Sequence, residues 1–300
     1  MCLYPKLIIN KKYTETKKNG GVIPHMKDHR VKWVPIGCGK CMECRKQKAR
    51  NWSVRLQEEI KNDKRGKFIT WSFSDKSLSE LADIITFDEE GIELTDKLTG
   101  YELDNAIAKL AVRRYLERWR KKFGKSLKHW IVTELGEKYT ERIHLHGIVW
   151  TNETDQITKK WKYGNVYIGD YVNEKTINYI AKYLHKTDKK HEYYTPIILT
   201  SPGIGKGYTN EEINIIRNKY HGKNTKDNYI TNVGNKMPLP IYYRNAIYTE
   251  EEREKLWLYK LDEEVRYING QKIDISKGLE DYYKTLKEAR IKNKKLGYEA

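Results

Sequence analysis

The sequence predicts an α+β protein, in which a central antiparallel sheet of about five strands is flanked by helices. Apolar segments at 68–73, 129–134 and 143–150 are typical of strands. Segments at 104–123 and 173–184 instead carry apolar residues at helical spacing. The order strand, helix, strand, strand, strand, helix favours helices packed on one antiparallel sheet.

Three parts are expected along the chain: a basic, cysteine-rich N-terminal arm at 1–66, a core at 67–187, and a loop with a helical C-terminal extension at 188–300. The arm carries 17 lysines and arginines against 6 acidic residues, so it supplies +11 of the net charge of +17. This charge favours a nucleic-acid partner, because binding to phosphates releases their condensed counterions. The alternative is that lysine usage reflects an AT-rich genome and only solvates the surface.

The first predicted element is a helix over 46–60, with an apolar stripe formed by Trp52, Leu56 and Ile60. A strand at 68–73 follows, and the acidic stretch after it is left unassigned. The next helix is expected over 104–123, with Asp104 as its N-cap and Gly124 as its stop. One face of this helix is apolar, at Ile107, Ala111, Tyr115 and Trp119.

A short strand at 166–168 is expected before the helix at 173–184. Three further helices are predicted over 209–220, 249–266 and 276–295. Thr249 and Glu252 would form a capping box at the start of the second of them.

No apolar run approaches the length needed to cross a bilayer, and the mean hydropathy is -0.84. The N-terminus has no basic segment followed by an apolar stretch, so no signal peptide is expected. These features predict a cytoplasmic protein that contacts no membrane.

His144 and His146 lie two positions apart in an apolar strand. Alternate residues of a strand share a face, so both imidazoles converge while Leu145 enters the core. Two convergent imidazoles are good ligands for a divalent cation. Glu134, on the preceding strand, would add an oxygen ligand suited to Mg²⁺ or Mn²⁺. Taken alone, a His-x-His pair is more often incidental and such a glutamate more often a solvated strand end.

Tyr179 and Tyr183 lie four positions apart and share one face of a predicted helix, with Lys182 beside them. Two adjacent phenols can act as alternating nucleophiles that each hold a 5′-phosphate. Lys182 could lower the pKa of a phenol or neutralise a phosphate. In a chain with 23 tyrosines, packing alone also explains such a pair.

Cys38, Cys41 and Cys44 form a dense cluster, and with Cys2 they could make a tetrahedral zinc site of four thiolates. Unligated thiols or an iron–sulfur cluster are alternatives, while disulfides fit a reducing cytoplasm poorly. A zinc site would fold the arm and present four cations to DNA: Arg45, Lys46, Lys48 and Arg50. A second basic set, expected to contact phosphates unless it is only a solvated face, lies on the helix at 104–123: Arg113, Arg114, Arg118 and Lys121.

Together and in this order, these motifs resemble the HUH (His-hydrophobe-His) rolling-circle initiators. More closely, they resemble the replication initiators of microvirus phages, particularly the gokushovirus branch. The stretch at 179–186 is similar to the two-tyrosine helix of that family, and 201–206 to the segment that follows it. The stretch at 38–45, with Trp52 and Arg55 after it, is similar to the N-terminal segment of those proteins. The resemblance covers about residues 1–210.

The resemblance implies an HUH endonuclease core at 67–187 and a metal-dependent single-strand endonuclease and strand transferase. His144, His146 and Glu134 would hold Mg²⁺ or Mn²⁺. Tyr179 or Tyr183, with Lys182 assisting the phenolate, would form a 5′-phosphotyrosine and free a 3′-OH for rolling-circle synthesis. The second tyrosine would then cut the regenerated origin, so that the displaced circle is closed.

The implied partner is single-stranded origin DNA in the cytoplasm of a host bacterium, and residues 211–300 would bind the origin or recruit a host helicase or DNA polymerase. Two other classes of protein stay open. A zinc-stabilised, non-catalytic DNA- or RNA-binding protein would tolerate loss of His144 and Tyr179. A relaxase or single-strand transposase shares the HUH chemistry, but relaxases usually place the nucleophile near the N-terminus, where only Tyr4 and Tyr13 lie.

Overall fold

The structure is a computed structural model that describes residues 2–88, 90–92, 98–137, 140–187 and 190–299. Its strands are β1 (Lys6–Ile9), β2 (Trp33–Ile36), β3 (Gly66–Trp71), β4 (Lys128–Leu135), β5 (Ile143–Trp150), β6 (Val166–Ile168), β7 (Ile198–Thr200), β8 (Asn228–Ile230), β9 (Lys236–Pro238), β10 (Val265–Ile268) and β11 (Gln271–Asp274). Its α-helices are α1 (Met42–Asn62), α2 (Asp75–Thr86), α3 (Gly100–Phe123), α4 (Thr154–Lys160), α5 (Glu174–Lys182), α6 (Glu212–Asn218), α7 (Ile241–Ile247), α8 (Glu250–Asp262) and α9 (Glu280–Lys295).

The chain forms two compact units. The central unit is Trp52–Gly207, and the terminal unit combines Met1–Asn51 with Tyr208–Ala300. The three-part division at residues 66 and 187 stays a prediction.

The central unit contains a five-stranded sheet in the order β6-β3-β5-β4-β7, and every neighbouring pair is antiparallel. The predicted α+β class with a central antiparallel sheet is therefore confirmed. The edge strand β7 was not predicted, because it has only three residues and lies in an irregular stretch.

The helix α3 covers one face of this sheet, and its predicted apolar face is buried in the core. It begins at Gly100, with Thr99 as N-cap, so the prediction that Asp104 caps the helix is wrong. Its end at Gly124 is as predicted, since that residue has a φ of 67° and closes the last turn. Leu145 is fully buried in the core beneath α3, so the histidines on either side of it face the opposite side of the sheet.

Two predicted helices end earlier in the structure than expected. The helix α5 stops at Lys182 rather than 184, which leaves Tyr183 as its C-cap residue. The helix α8 stops at Asp262 rather than 266, because the chain turns into the hairpin of β10 and β11. The turn of this hairpin is Asn269-Gly270, with φ values of 52° and 82°. Asn-Gly is the preferred pair for a two-residue hairpin turn.

The terminal unit contains three two-stranded antiparallel sheets, β1 with β2, β8 with β9 and β10 with β11. The helix α8 starts with the predicted capping box, in which Thr249 and Glu252 exchange backbone-to-side-chain hydrogen bonds. In the part of the chain that the structure describes, no helix combines the length and the apolar character that a membrane crossing requires.

Gly147, in the middle of the central strand β5, has no room for a side chain. An added Cβ would overlap the Trp130 carbonyl oxygen and lie 2.9 Å from the Ile131 Cα. We expect Gly147→Ala to lower the free energy of unfolding by about 3 kcal/mol, because neither backbone group can move without breaking the sheet. Urea unfolding measures this loss. In the control Gly66→Ala the new Cβ meets side-chain atoms at 3.3 Å or more, and an equal loss there would contradict the explanation.

Candidate active site and cysteine cluster

The register of the sheet places the predicted metal ligands on one face. Glu134 of β4 lies opposite His144 of β5, and His146 lies between Val132 of β4 and Thr70 of β3. Residues directly opposite in antiparallel strands share a face and lie close together. The alternation of β5 therefore aims both imidazoles at the side of the sheet that α3 does not cover.

A cavity of about 640 Å³ opens on this face. It is lined by the side chains proposed for catalysis and metal binding together with one that was not predicted: Glu134, His144, His146, Tyr179, Lys182, Tyr183 and Lys186. The structure thus brings the six predicted residues of this site into one cavity.

Both ring nitrogens of His146 are hydrogen-bonded. Its Nε2 donates to Glu134 Oε2 at 2.8 Å, and its Nδ1 accepts from the Thr70 hydroxyl at 3.1 Å. Because a hydroxyl can also accept, Thr70 would suit the other tautomer, in which Nε2 is free to bind a metal. Sequence reasoning treated the strand of Thr70 as purely structural and missed this contact.

Lys186 is a further residue that the sequence analysis missed. Its ammonium donates to Glu134 Oε1 at 3.0 Å and lies 2.9 Å from a Glu137 carboxylate oxygen. Burial tends to raise the pKa of Glu134, but the hydrogen bonds from His146 and Lys186 outweigh it and hold that pKa below its usual range. Glu134 is therefore ionised at neutral pH. Burial, with the nearby charge of His146, lowers the pKa of His144, which keeps this imidazole neutral, as a ligand must be.

His146 and Glu134 fit a divalent cation. With ligands at about 2.1 Å, two neighbouring donors of an octahedral site are about 3.0 Å apart, close to the 2.8 Å between Nε2 and Oε2. The third predicted ligand is not in place. In the described parts of the chain, the cysteines are the group of three or more ligand side chains whose donor atoms all lie within 4.8 Å of one another, and His144 does not complete such a group. His144 lines the cavity without closing the site.

The two tyrosines differ in environment. Tyr183 is only 6% exposed, and its ring stacks on that of His146 at 4.5 Å between centroids, with 11° between the planes. Its hydroxyl donates to the Tyr179 oxygen at 2.5 Å. Burial, followed by this hydrogen bond, raises the pKa of Tyr183 well above its usual range, so it keeps its proton. Tyr179 is 44% exposed and packs edge-on against Phe68.

Lys182 is exposed, and its ammonium lies over the tyrosine rings, 4.8 Å from the Tyr179 centroid and 5.9 Å from that of Tyr183. This position suits attraction of an incoming phosphate.

The four cysteines converge in the terminal unit. Cys2 Sγ lies 3.5 Å from Cys38 Sγ and 3.9 Å from Cys41 Sγ, and Cys38 Sγ lies 3.9 Å from Cys44 Sγ. A tetrahedral zinc ion with Zn–S bonds of about 2.3 Å separates its sulfurs by about 3.8 Å, so the cluster fits such an ion. A hydrogen bond from Cys44 lowers the pKa of the Cys41 thiol to about 4, which favours the thiolate that metals bind.

Two of the predicted DNA contacts are corrected by the structure. Arg45 is buried, and its guanidinium lies 5.3 Å from the centre of the Tyr298 ring. Arg118 donates to the Lys160 carbonyl and to the Tyr163 hydroxyl, so its guanidinium is held within the central unit. The remaining predicted contacts lie at least partly at the surface: Lys46, Lys48, Arg50, Arg113, Arg114 and Lys121.

Comparison with known proteins gives two matches. Residues 94–188, which include the six predicted cavity residues, match the sequence model of the replication-associated protein ORF2 family. The chain is 25% identical to the replication-associated protein VP4 of Bdellovibrio phage phiMH2K over 251 residues, which are 74% of this chain and 69% of that protein. No solved structure gives a significant match. The resemblance to phage replication proteins is confirmed, and residues 94–188 carry a replication-associated protein domain of the ORF2 family.

Proposed function

We propose that this protein starts rolling-circle replication of a small single-stranded DNA phage genome by nicking one strand of its origin with a tyrosine. The observation that carries the proposal is the cavity in which two histidines and a glutamate of the sheet meet two tyrosines of one helix. Its replication-associated relative from a phage and the net charge of +17 agree with a DNA substrate.

Tyr179 is the first nucleophile in this proposal. Its exposed phenol is open to the strand, and its oxygen accepts the Tyr183 proton at 2.5 Å, which stabilises negative charge on that oxygen. The Lys182 ammonium attracts the phosphate. His146, Glu134 and His144 would bind Mg²⁺ or Mn²⁺, which when present polarises the scissile phosphate.

The Tyr179 oxygen forms a bond to phosphorus while the bond from phosphorus to the 3′-oxygen breaks. The phenolic proton is released and the 3′-oxygen takes up a proton, so the products are a 5′-phosphotyrosine and a 3′-OH that primes synthesis. Since attack on the phosphotyrosine conserves the bond energy, religation needs no nucleotide cofactor.

Tyr183 would act second. Once Tyr179 is esterified, the oxygen that accepted the Tyr183 proton carries a phosphate, and Tyr183 must leave its stack on His146 to reach the regenerated origin. The 3′-OH released by this second cut then attacks the Tyr179 phosphotyrosine and closes the displaced circle. Host helicase and DNA polymerase, acting in the host cytoplasm, would extend the primed strand.

The proposal is tested by incubating the protein and Mn²⁺ with labelled single-stranded oligonucleotides that tile the phage origin, followed by a denaturing gel. We expect a covalent adduct with wild type and with the control Tyr171→Phe, whose ring is 70% exposed and outside the cavity. The double variant Tyr179→Phe/Tyr183→Phe should form none. An adduct in the double variant would place the nucleophile elsewhere, and tight DNA binding without any adduct would favour a non-catalytic binding protein.

A further inference from the structure

The C-terminal helix α9 has one buried and one basic face. Leu286, Ala289 and Asn293 are buried on the side that packs within the terminal unit. The opposite side exposes Ile291 and four lysines: Lys284, Lys287, Lys294 and Lys295. Among the residues that the structure describes, no ion pair involves these lysines. Their charge is therefore available to a polyanion.

This helix is joined directly to the cysteine cluster. Leu286 and Ala289 share a small core with Leu3 and Cys41, and the other three cysteines pack against that core. The fully buried Asn293 accepts from the Met42 backbone N–H at 2.8 Å, one residue after Cys41. Arg290 donates to the Leu3 carbonyl at 2.9 Å, one residue after Cys2. The position of α9 thus depends on the segments that carry the thiolates.

We propose that α9 is a binding site for duplex DNA whose position depends on a metal ion, zinc by its ligand chemistry, in the four-cysteine cluster. Without the ion, four sulfurs held within 4.8 Å have no common partner, and the thiolates repel one another. Loss of the cluster would release Leu3 and Cys41 from the core under α9. Duplex binding therefore requires the loaded cluster.

The lysine face suits a duplex better than a single strand. The 16 residues of α9 form a rigid rod of about 24 Å, and an α-helix fits the major groove of B-DNA. Single-strand sites instead stack bases on aromatic side chains, and residues 284–295 contain none. The choice of DNA as the polyanion rests on the proposed replication function.

The test measures binding of a labelled 30-base-pair duplex by fluorescence anisotropy across a salt series. We expect the quadruple variant Lys284→Ala/Lys287→Ala/Lys294→Ala/Lys295→Ala to bind at least about 30-fold more weakly at 0.1 M salt, with a salt slope lower by about 3. The matched control removes the same charge from four exposed lysines elsewhere in the terminal unit: Lys27, Lys32, Lys219 and Lys236. An equal loss in this control, or an equal loss of single-strand affinity in the α9 variant, overturns the proposal.

The metal arm uses Cys41→Ser/Cys44→Ser, with metal content determined by mass spectrometry after growth and purification with Zn²⁺ as the added metal. Wild type should carry about one ion per chain and the variant none, with duplex affinity reduced as in the lysine variant. A metal-free wild type that binds duplex fully overturns the dependence on the cluster. Adduct formation on a single-stranded oligonucleotide separates the two ideas: its absence in wild type contradicts the nuclease while the duplex result still decides the role of α9.

Discussion

Replacing Tyr179 with phenylalanine is expected to slow the first cleavage of origin DNA by at least about 10³-fold, because the only strongly exposed phenol of the described cavity is lost. Tyr183→Phe should slow the same step by about 10-fold, since it removes only the hydrogen bond to the Tyr179 oxygen. Single-turnover cleavage of a labelled single-stranded oligonucleotide with excess protein and Mn²⁺ measures both rates.

The second cut should respond in the opposite way. A substrate with two origin copies in one strand reports circle closure, and Tyr183→Phe should abolish closure while leaving the first adduct in place. Tyr171→Phe is the control for loss of an exposed phenol outside the cavity. If Tyr183→Phe slows the first cut as much as Tyr179→Phe does, the assigned order of the tyrosines is wrong.

The faces of the site were predictable from the sequence because local periodicity determines them. A period of two puts His144 and His146 on one face of β5, and a spacing of four puts Tyr179 beside Tyr183. The alternation also placed Leu145 in the core, where it is fully buried. These expectations require only that each segment forms the expected strand or helix.

Contacts between distant elements were not predictable in the same way. The stacking of Tyr183 on His146 depends on how α5 lies over the sheet, and so does the hydrogen bond of Lys186 to Glu134. The same reason explains Arg45, which a charge count places at the surface but which lies against Tyr298, more than 250 residues later in the chain. Burial of a charge is set by tertiary packing, which composition does not describe.

Removing the His146 imidazole is expected to slow metal-dependent cleavage by about 10² to 10³-fold, because His146→Ala deletes a proposed ligand worth several kcal/mol of transition-state stabilisation. The half-saturating Mn²⁺ concentration should rise as well. Thr70→Val keeps the ligand but loses the hydroxyl 3.1 Å from Nδ1, so we expect metal affinity to fall by about 10 to 100-fold. Cleavage rates across a Mn²⁺ titration measure both effects.

His146 also supports the ring of Tyr183, and this second role separates two explanations of a loss. If metal binding is the role, saturating Mn²⁺ should restore Thr70→Val but not His146→Ala, and EDTA should abolish cleavage by wild type. If His146 only supports the tyrosine, His146→Phe should keep the stack and retain cleavage. His25→Ala, an exposed histidine of the terminal unit, is the control and should cleave at the wild-type rate. Full activity of His146→Phe would contradict the metal site while leaving the tyrosine assignment intact.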